Sequence, residues 1–411
     1  MNSTLIINIR SLLGLQTKPQ SFKKGAAMSI VERMDDCFLF LENGKIANFG
    51  PMQRCPQNVQ KIIDATDRLV MPAWCDSHTH IVFAAGREDE YTSRLKGVSY
   101  EEIASNGGGI LNSALRLQST SEDDLYVSAK SRLDEVISYG TGAIEIKSGY
   151  GLTLESEIKM LRVIKRLKEN SEATIKSTFL GAHAIPTQFK NNRNGYIDIL
   201  INKMLPQIME EKLADYCDVF CDKGFFTIHE TDRILKAAAS YGLKAKIHAN
   251  ELDVSGGVQV GIANNAISVD HLEAITQVEI DALKSSNTIP TVLPSVSFFL
   301  NINYAPARKM IDEGLGIAIA SDYNPGSSPS GNIPLLLSMA CNNMRLLPDE
   351  AFNAVTYNGA CAMELENSHG CISIGNKANI IITKKIPSLD YMVYTFGTNH
   401  IEHVILNGKL M

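Results

Sequence analysis

With 411 residues, 45% of them hydrophobic and 20% charged, the chain is long enough for one large or two ordinary globular domains around a sizeable core. A formal net charge of −6 without any Lys/Arg-rich run excludes a nucleic-acid surface held by phosphate contacts, which leaves small molecules as the expected partners. No apolar segment reaches the ~20 residues that span a bilayer, the start lacks the pattern of a secretory leader, and the eight cysteines include no CxxC pair, so a cytoplasmic protein with reduced thiols and no membrane partner is expected.

Residues 1–70 alternate short apolar runs, such as "TLIINI", "CFLFLENGKIANFG" and "KIIDATDRLV", with Gly, Asn and Pro turns, which predicts a small β-rich unit. Over 71–369 the rhythm changes. Eight strand-like runs follow in order: "LVMPAWCDSH", "GTGAIEIKSG", "IKSTFLGAH", "YCDVFCD", "LKAKIHAN", "AISVDH", "TIPTVLP" and "LGIAIASD". Between them lie segments such as "EDDLYVSAKSRLDEVISY", "LESEIKMLRVIKRLKEN" and "TIHETDRILKAAASYG", whose apolar residues recur at helical spacing. Eight parallel strands with crossover helices predict an α/β fold, a (β/α)8 TIM barrel of about 250 to 300 residues. From 370 to 411, "CISIGNKANIIITKK" and "HIEHVILNGKLM" return to short strands with Gly-Asn or Asn-Gly turns, so the two ends are expected to pair into one composite β-sandwich domain.

Nearly every barrel run ends in a residue able to bind metal or move protons: His78 and His80, His183, Asp222, His248, His271 and Asp322. In a barrel these strand ends form the active-site face. His78 and His80, two apart on one strand, address the same side and can share one ion; a third imidazole and a carboxylate would complete a site. Such a donor set suits zinc, with iron or nickel less selectively, rather than an all-oxygen calcium or magnesium cage. Singly, His248 could be a core histidine and Asp322 a turn cap; their joint placement at strands one, five and eight points to a metal centre.

The strand-one "DSHTH", the strand-five and strand-six histidines and the strand-eight aspartate carry a resemblance to the amidohydrolase superfamily, as do "GKIANFGP" and "GCISIGNKANIIIT" in the flanking β unit. Ala73 and Asn379 stand where that superfamily often has Gly and Asp. Within it, "HTHIVFAAGRE", "EIKSGYGL", "FLGAHAIP", "IHANEL", "VDHLE" and "ASDYNPGSSP" are similar to the motifs of the branch that opens the ring of 4-imidazolone-5-propanoate to N-formimidoyl-L-glutamate in histidine degradation. The resemblance implies a cytoplasmic hydrolase, a homodimer by analogy, with one divalent metal ion per chain, zinc or alternatively iron, held by His78, His80, His248 and Asp322. Lys147, the one lysine at a strand end, is read as supporting the site rather than bridging two ions.

The chemistry so implied needs a proton taken from water, one given to the leaving nitrogen, and charge stabilisation at the oxyanion. Glu251, His271 and Asp322 stand to share these tasks. Glu251 could instead be a first-turn helix carboxylate and His271 an orienting residue. A propionate calls for a forked cation, which Arg87 supplies. By resemblance Arg87, Tyr100, Tyr150, His183, Glu251, Asn324 and Gly326 bind substrate, Tyr100 having a helix-start aromatic as its alternative. The glycine run 105–110 is read as a mobile lid. A guanine or cytosine deaminase is the nearest rival, and a non-catalytic scaffold a distant one.

Overall fold

The computed structural model describes residues 3–16, 21–57, 59, 61–98, 102 and 108–411. Tyr100, and with it residues 105–107 of the glycine run, lie outside the described residues. Five strands open the chain: β1 (Ser3–Leu13), β2 (Arg33–Glu42), β3 (Lys45–Pro51), β4 (Lys61–Asp64) and β5 (Arg68–Pro72). Eight more follow between helices: β6 (Trp74–Asp76), β7 (Thr141–Lys147), β8 (Thr174–Ala182), β9 (Tyr216–Cys221), β10 (Lys244–Ala249), β11 (Ser268–His271), β12 (Ile289–Val292) and β13 (Ala318–Ile319). Strands β14 (Ile380–Lys385), β15 (Ile401–Leu406) and β16 (Lys409–Leu410) end the chain.

β6 to β13 pair in sequence order, every described pair parallel. The ring closes between its two ends through a parallel bridge of Thr79 with Tyr323, the hydrogen bonds His80 N to Tyr323 O (2.9 Å) and Asp322 N to His78 O (2.9 Å), and the Asp76 carboxylate, which accepts from Ser321 N and Oγ. This is the (β/α)8 barrel expected, and the same seam carries three of the residues singled out as ligands. The predicted helices form where their caps allow. Ser121, Thr153 and Thr227 accept from the third backbone N–H beyond them and start helices Glu122–Ser138, Leu154–Glu169 and Ile228–Ser240. Leu125, Ala129, Leu133 and Val136 of the first turn their shared face to the core.

One sequence expectation changes. The run "LVMPAWCDSH" is not a single barrel strand, because Leu69–Pro72 pairs with β1 and β14 in the other sheet and only Trp74–Asp76 enters the barrel. Pro72 offers no N–H to continue a ladder. Ala73 N then donates to Asn379 O and Trp74 N to Gly140 O, which passes the chain from one sheet to the other. That second sheet runs β16-β15-β14-β5-β1-β2-β3 with β4 on β1, so the two chain ends do pair. They also share one core, with Ile6, Leu39 and Val70 packed among Ile372, Ile380 and Ile405. All eight cysteines are free thiols, six of them buried, and no described helix is long and apolar enough to cross a membrane.

Candidate metal centre and active-site cavity

Beyond β6 the alternation of the extended chain turns Thr79 outward, its hydroxyl donating to Glu145 O, while His78 and His80 turn inward. Their Nε2 atoms lie 3.3 Å apart, His248 Nε2 lies 3.4 Å from His80 Nε2, and Asp322 Oδ1 lies 3.3 and 3.4 Å from the Nε2 atoms of His78 and His80. Ligands bound tetrahedrally to one ion at about 2.0–2.1 Å stand about 3.3–3.4 Å from one another. Tautomers support the same conclusion. His78 Nδ1 is 2.6 Å from Asp270 Oδ2 and His248 Nδ1 3.1 Å from Asp218 Oδ1, so each donates there and presents an Nε2 lone pair inward. Burial keeps the His78, His80 and His248 imidazoles well below their ordinary pKa, hence neutral. Three acceptors therefore converge with at most one proton, that of His80, to share among them. A divalent cation resolves the conflict: the donor atoms form two triads that share His78, one with His80 and Asp322 and one with His248 and His271, and His248 also lies beside His80, so the cluster fits one.

Beneath the candidate ligands is a layer of which the sequence reading assigned only Lys147, as a support of the site. Glu145, Lys147, Asp218, Lys246 and Asp270 are all completely buried. Lys147 Nζ sits 2.7 Å from Glu145 Oε1, 2.7 Å from Asp218 Oδ2 and 3.5 Å from Asp270 Oδ2, and Lys246 pairs with Glu145. Burial alone would push the Lys147 ammonium down, but Asp218, Glu145 and Asp270 outweigh it and hold it above its usual range. Lys147 is thus a paired cation that secures the carboxylates behind His78 and His248. The sequence signal was available: charges embedded in the apolar runs "AIEIKS", "CDVF", "KAKIH" and "SVDH".

His271 ends β11 with Nδ1 3.6 Å from Glu251 Oε2 and 3.5 Å from Glu273 Oε2. Burial works against its charged form, yet the two carboxylates prevail and lift the imidazole to about 10. Glu251, in turn, is pushed up to about 7 by burial. Its loop is held by Asp222, whose Oδ2 accepts from Glu251 N and Leu252 N. Asp322 is raised to about 6 by burial, and its second oxygen accepts from Asn324 Nδ2 at 2.7 Å. Asn324 Oδ1 meanwhile accepts from Gly326 N and Ser327 N, so Asn324 orients Asp322 with one end and shapes its own loop with the other.

His80, His248, Glu251, His271, Asp322 and Asn324 open onto a cavity of about 400 Å³, lined also by Arg87, Tyr150, His183 and Gly326. Phe220 and Phe225, stacked at 4.0 Å, supply an apolar wall that sequence reasoning missed. His183 Nδ1 lies 3.0 Å from Gly149 O, so it donates, and burial lowers the ring to about 4. A neutral His183 then presents an acceptor on its other nitrogen. Gly149 is needed here, since its φ is +110° and a Cβ would stand 2.9 Å from His183 Nδ1. Arg87 Nε donates to Ser113 Oγ at 2.9 Å, and its guanidinium packs so closely over Gly326 that a Cβ there would lie 2.4 Å from Nη1. The cavity is thus lined by a forked cation as well as by His80, His248 and Asp322 of the candidate metal centre, Glu251 and His271. That polarity suits a small anion-bearing substrate and a hydrolytic reaction.

Fold and site together define a metal-dependent hydrolase barrel, and residues 69–411 match the amidohydrolase family model. The chain belongs to the amidohydrolase family. Among curated relatives it is 52% identical to the imidazolonepropionase of Christiangramia forsetii over 99% of each chain. It is likewise 52% identical to that of Flavobacterium johnsoniae (99% of this chain, 100% of the relative), and 42% identical to that of Thermoanaerobacter pseudethanolicus (98% and 96%). Solved structures share the fold at low identity. Guanine deaminase from C. acetobutylicum with bound guanine matches with a TM-score of 0.72 at 16% identity over 100% of both chains. A zinc-bound adenosine deaminase from Xanthomonas campestris matches at 0.73 and 14%, over 99% of this chain and 92% of that one.

Proposed function

We propose that this chain is an imidazolonepropionase, which adds water across the C–N bond beside the ring carbonyl of 4-imidazolone-5-propanoate and releases N-formimidoyl-L-glutamate. The observation that carries the reading is Arg87 lining the same cavity as the ligand cluster, because a propionate needs a cation and the rival purine or pyrimidine bases do not. Near-whole-chain similarity to relatives of that name supports it. Zinc, with iron as the alternative, is the proposed occupant of His78, His80, His248 and Asp322; when bound it supplies Lewis acidity and makes water nucleophilic near neutral pH.

The remaining work falls to the chain's own groups. Both Asp322 oxygens are committed, one toward His78 and His80 and the other to Asn324, whereas the Glu251 carboxylate lines the cavity with His271 as its ion-pair partner among the described residues. With burial pushing it to about 7, Glu251 can accept the water proton and return it to the ring nitrogen as the C–N bond breaks. His271 stands across from it to stabilise the carbonyl oxygen as charge develops there. Arg87 clamps the propionate, while Tyr150 and the neutral His183 hold the ring against the Phe220 wall. Gly326 makes room for the guanidinium, and Asn324 acts through Asp322. Residues 71–369 form the proposed hydrolase domain, 1–70 with 370–411 the β-sandwich, and the protein is placed in the cytoplasm as a homodimer.

The test is the decay of imidazolone absorbance on adding metal-loaded protein to fresh imidazolonepropionate, with guanine and cytosine as counter-substrates. We expect decay that is lost in His248→Ala together with bound metal, and an Arg87→Ala variant impaired mainly through a KM raised 10-fold or more, in line with a lost charge-assisted clamp of about 1.5–3 kcal/mol. Ammonia released from guanine or cytosine, without imidazolone decay, would overturn the substrate assignment.

A further inference from the structure

Two carboxylates, Glu251 and Glu273, face the one nitrogen of His271, and their surroundings differ. The Glu251 side chain is 12% exposed and lines the cavity, while that of Glu273 is 4% exposed and does not. Both Glu273 oxygens are buried without a hydrogen-bond partner among the described residues. A carboxylate so placed is expensive unless a cation or strong donor balances it, and His271 Nδ1 at 3.5 Å is the ring atom that stands there.

The backbone independently points to the same pair. His271 and Leu272 are consecutive non-glycine residues at φ 86° and 73°, a conformation that persists only where the surroundings over-determine it. Leu272 N donates to Ala249 O (3.1 Å) and Ala274 N to Asn250 O (2.8 Å), stitching the bend to the end of β10. The bend brings Glu273 back beside the Nδ1 edge of His271 instead of letting the chain run on from β11. His271 Nε2, unlike Nδ1, is not among the buried unpartnered atoms, and His271 lines the cavity.

We propose that Glu273 is a positioning residue: its carboxylate holds the Nδ1–H edge of His271, so that Nε2 alone meets the substrate and Glu251 is released from the imidazole to exchange protons with water and the leaving nitrogen. The inference rests on the ring-opening reading of the site. One carboxylate stays with the histidine and the other serves the substrate, a division that a single glutamate could not provide.

The experiment compares zinc-loaded wild-type protein with Glu273→Gln and Glu273→Asp, using Glu279→Gln as a control for a buried carboxylate in the helix cap that follows. Steady-state kinetics on imidazolonepropionate are read beside 15N spectra of histidine-labelled protein, in which His271→Gln identifies the His271 signals. Glu273→Gln is expected to lower kcat 10- to 100-fold with KM and zinc content within twofold, and to move the His271 Nδ1–H signal away from its carboxylate-bound position. Glu273→Asp, which keeps the charge but withdraws it by one methylene, falls between in both readouts, and Glu279→Gln changes neither. A Glu273→Gln enzyme with wild-type kcat, or a reduced kcat with unaltered His271 signals, overturns the proposal. The spectral comparison needs no substrate, so an enzyme inert toward imidazolonepropionate would sink the ring-opening reading while the spectra still decide what Glu273 does.

Discussion

Asp270 and Asp218 are each shared between an imidazole and a lysine, and this sharing sets the lone pairs of the proposed centre. Asp270 Oδ2 lies 2.6 Å from His78 Nδ1 and 3.5 Å from Lys147 Nζ; Asp218 faces His248 Nδ1 and Lys147 in the same way. Replacing Asp270 by Asn keeps its size but removes the charge that fixes the His78 tautomer. Metal affinity, measured by competition with a chelator, should fall about 10- to 100-fold in Asp270→Asn. Unchanged affinity would reduce Asp270 to a filler of the barrel interior. Alternation made His78, His80 and His248 legible, because a polar residue in an apolar run is conspicuous one at a time. Asp270 was passed over because its worth lies in a partner 192 positions away.

The loop after β7 shows how one helix can hold a proposed binding residue that sits elsewhere. Glu157, in helix Leu154–Glu169, accepts from the backbone of Gly149 (3.1 Å), Gly151 (2.7 Å) and Leu152 (2.9 Å), and so fixes the turn that presents Tyr150. Glu157→Ala strands three buried donors, each costing about 1–3 kcal/mol, so denaturant unfolding should show a loss of about 3 kcal/mol or more. KM should rise with metal content intact, since no ligand belongs to this loop. Tyr150 was readable from "KSGYG"; the carboxylate that positions it was not, as an acidic residue in a helix's first turn has an ordinary dipole explanation. Ala73 and Asn379, the two departures from the superfamily pattern, prove to touch. Ala73 N donates to Asn379 O, and Asn379 Oδ1 accepts from Asn407 N, which places both at the junction of the two sheets rather than at the chemistry.

Across the whole molecule the barrel and the β unit are locked together at buried polar joints, and His369 is one of them. Its ring lies 2.7 Å from Ser368 Oγ and 2.9 Å from Thr174 Oγ1 at the start of β8, and burial lowers its pKa to about 4. Unfolded, the same imidazole titrates near 6.5, so between these values the unfolded chain binds more protons than the native one. Stability present above pH 6.5 is therefore lost as pH falls toward 4, by up to about 3 kcal/mol from this group. Denaturation midpoints measured from pH 7.5 to 4.5 should fall more steeply in wild type than in His369→Gln, which has no proton to take up. Equal slopes would remove His369 from the account.

By itself the sequence determined the eight-strand rhythm, the pairing of the two ends and the polar residues at the strand ends, because periods of two and 3.6 and a polar break in an apolar run are local properties of the chain. The tertiary structure alone decided where "LVMPAWCDSH" divides between sheets, that Lys147 is a paired cation, and that Glu273 returns to His271. Those outcomes depend on which charges meet across the barrel, and buried electrostatics are set by distance in space rather than along the chain.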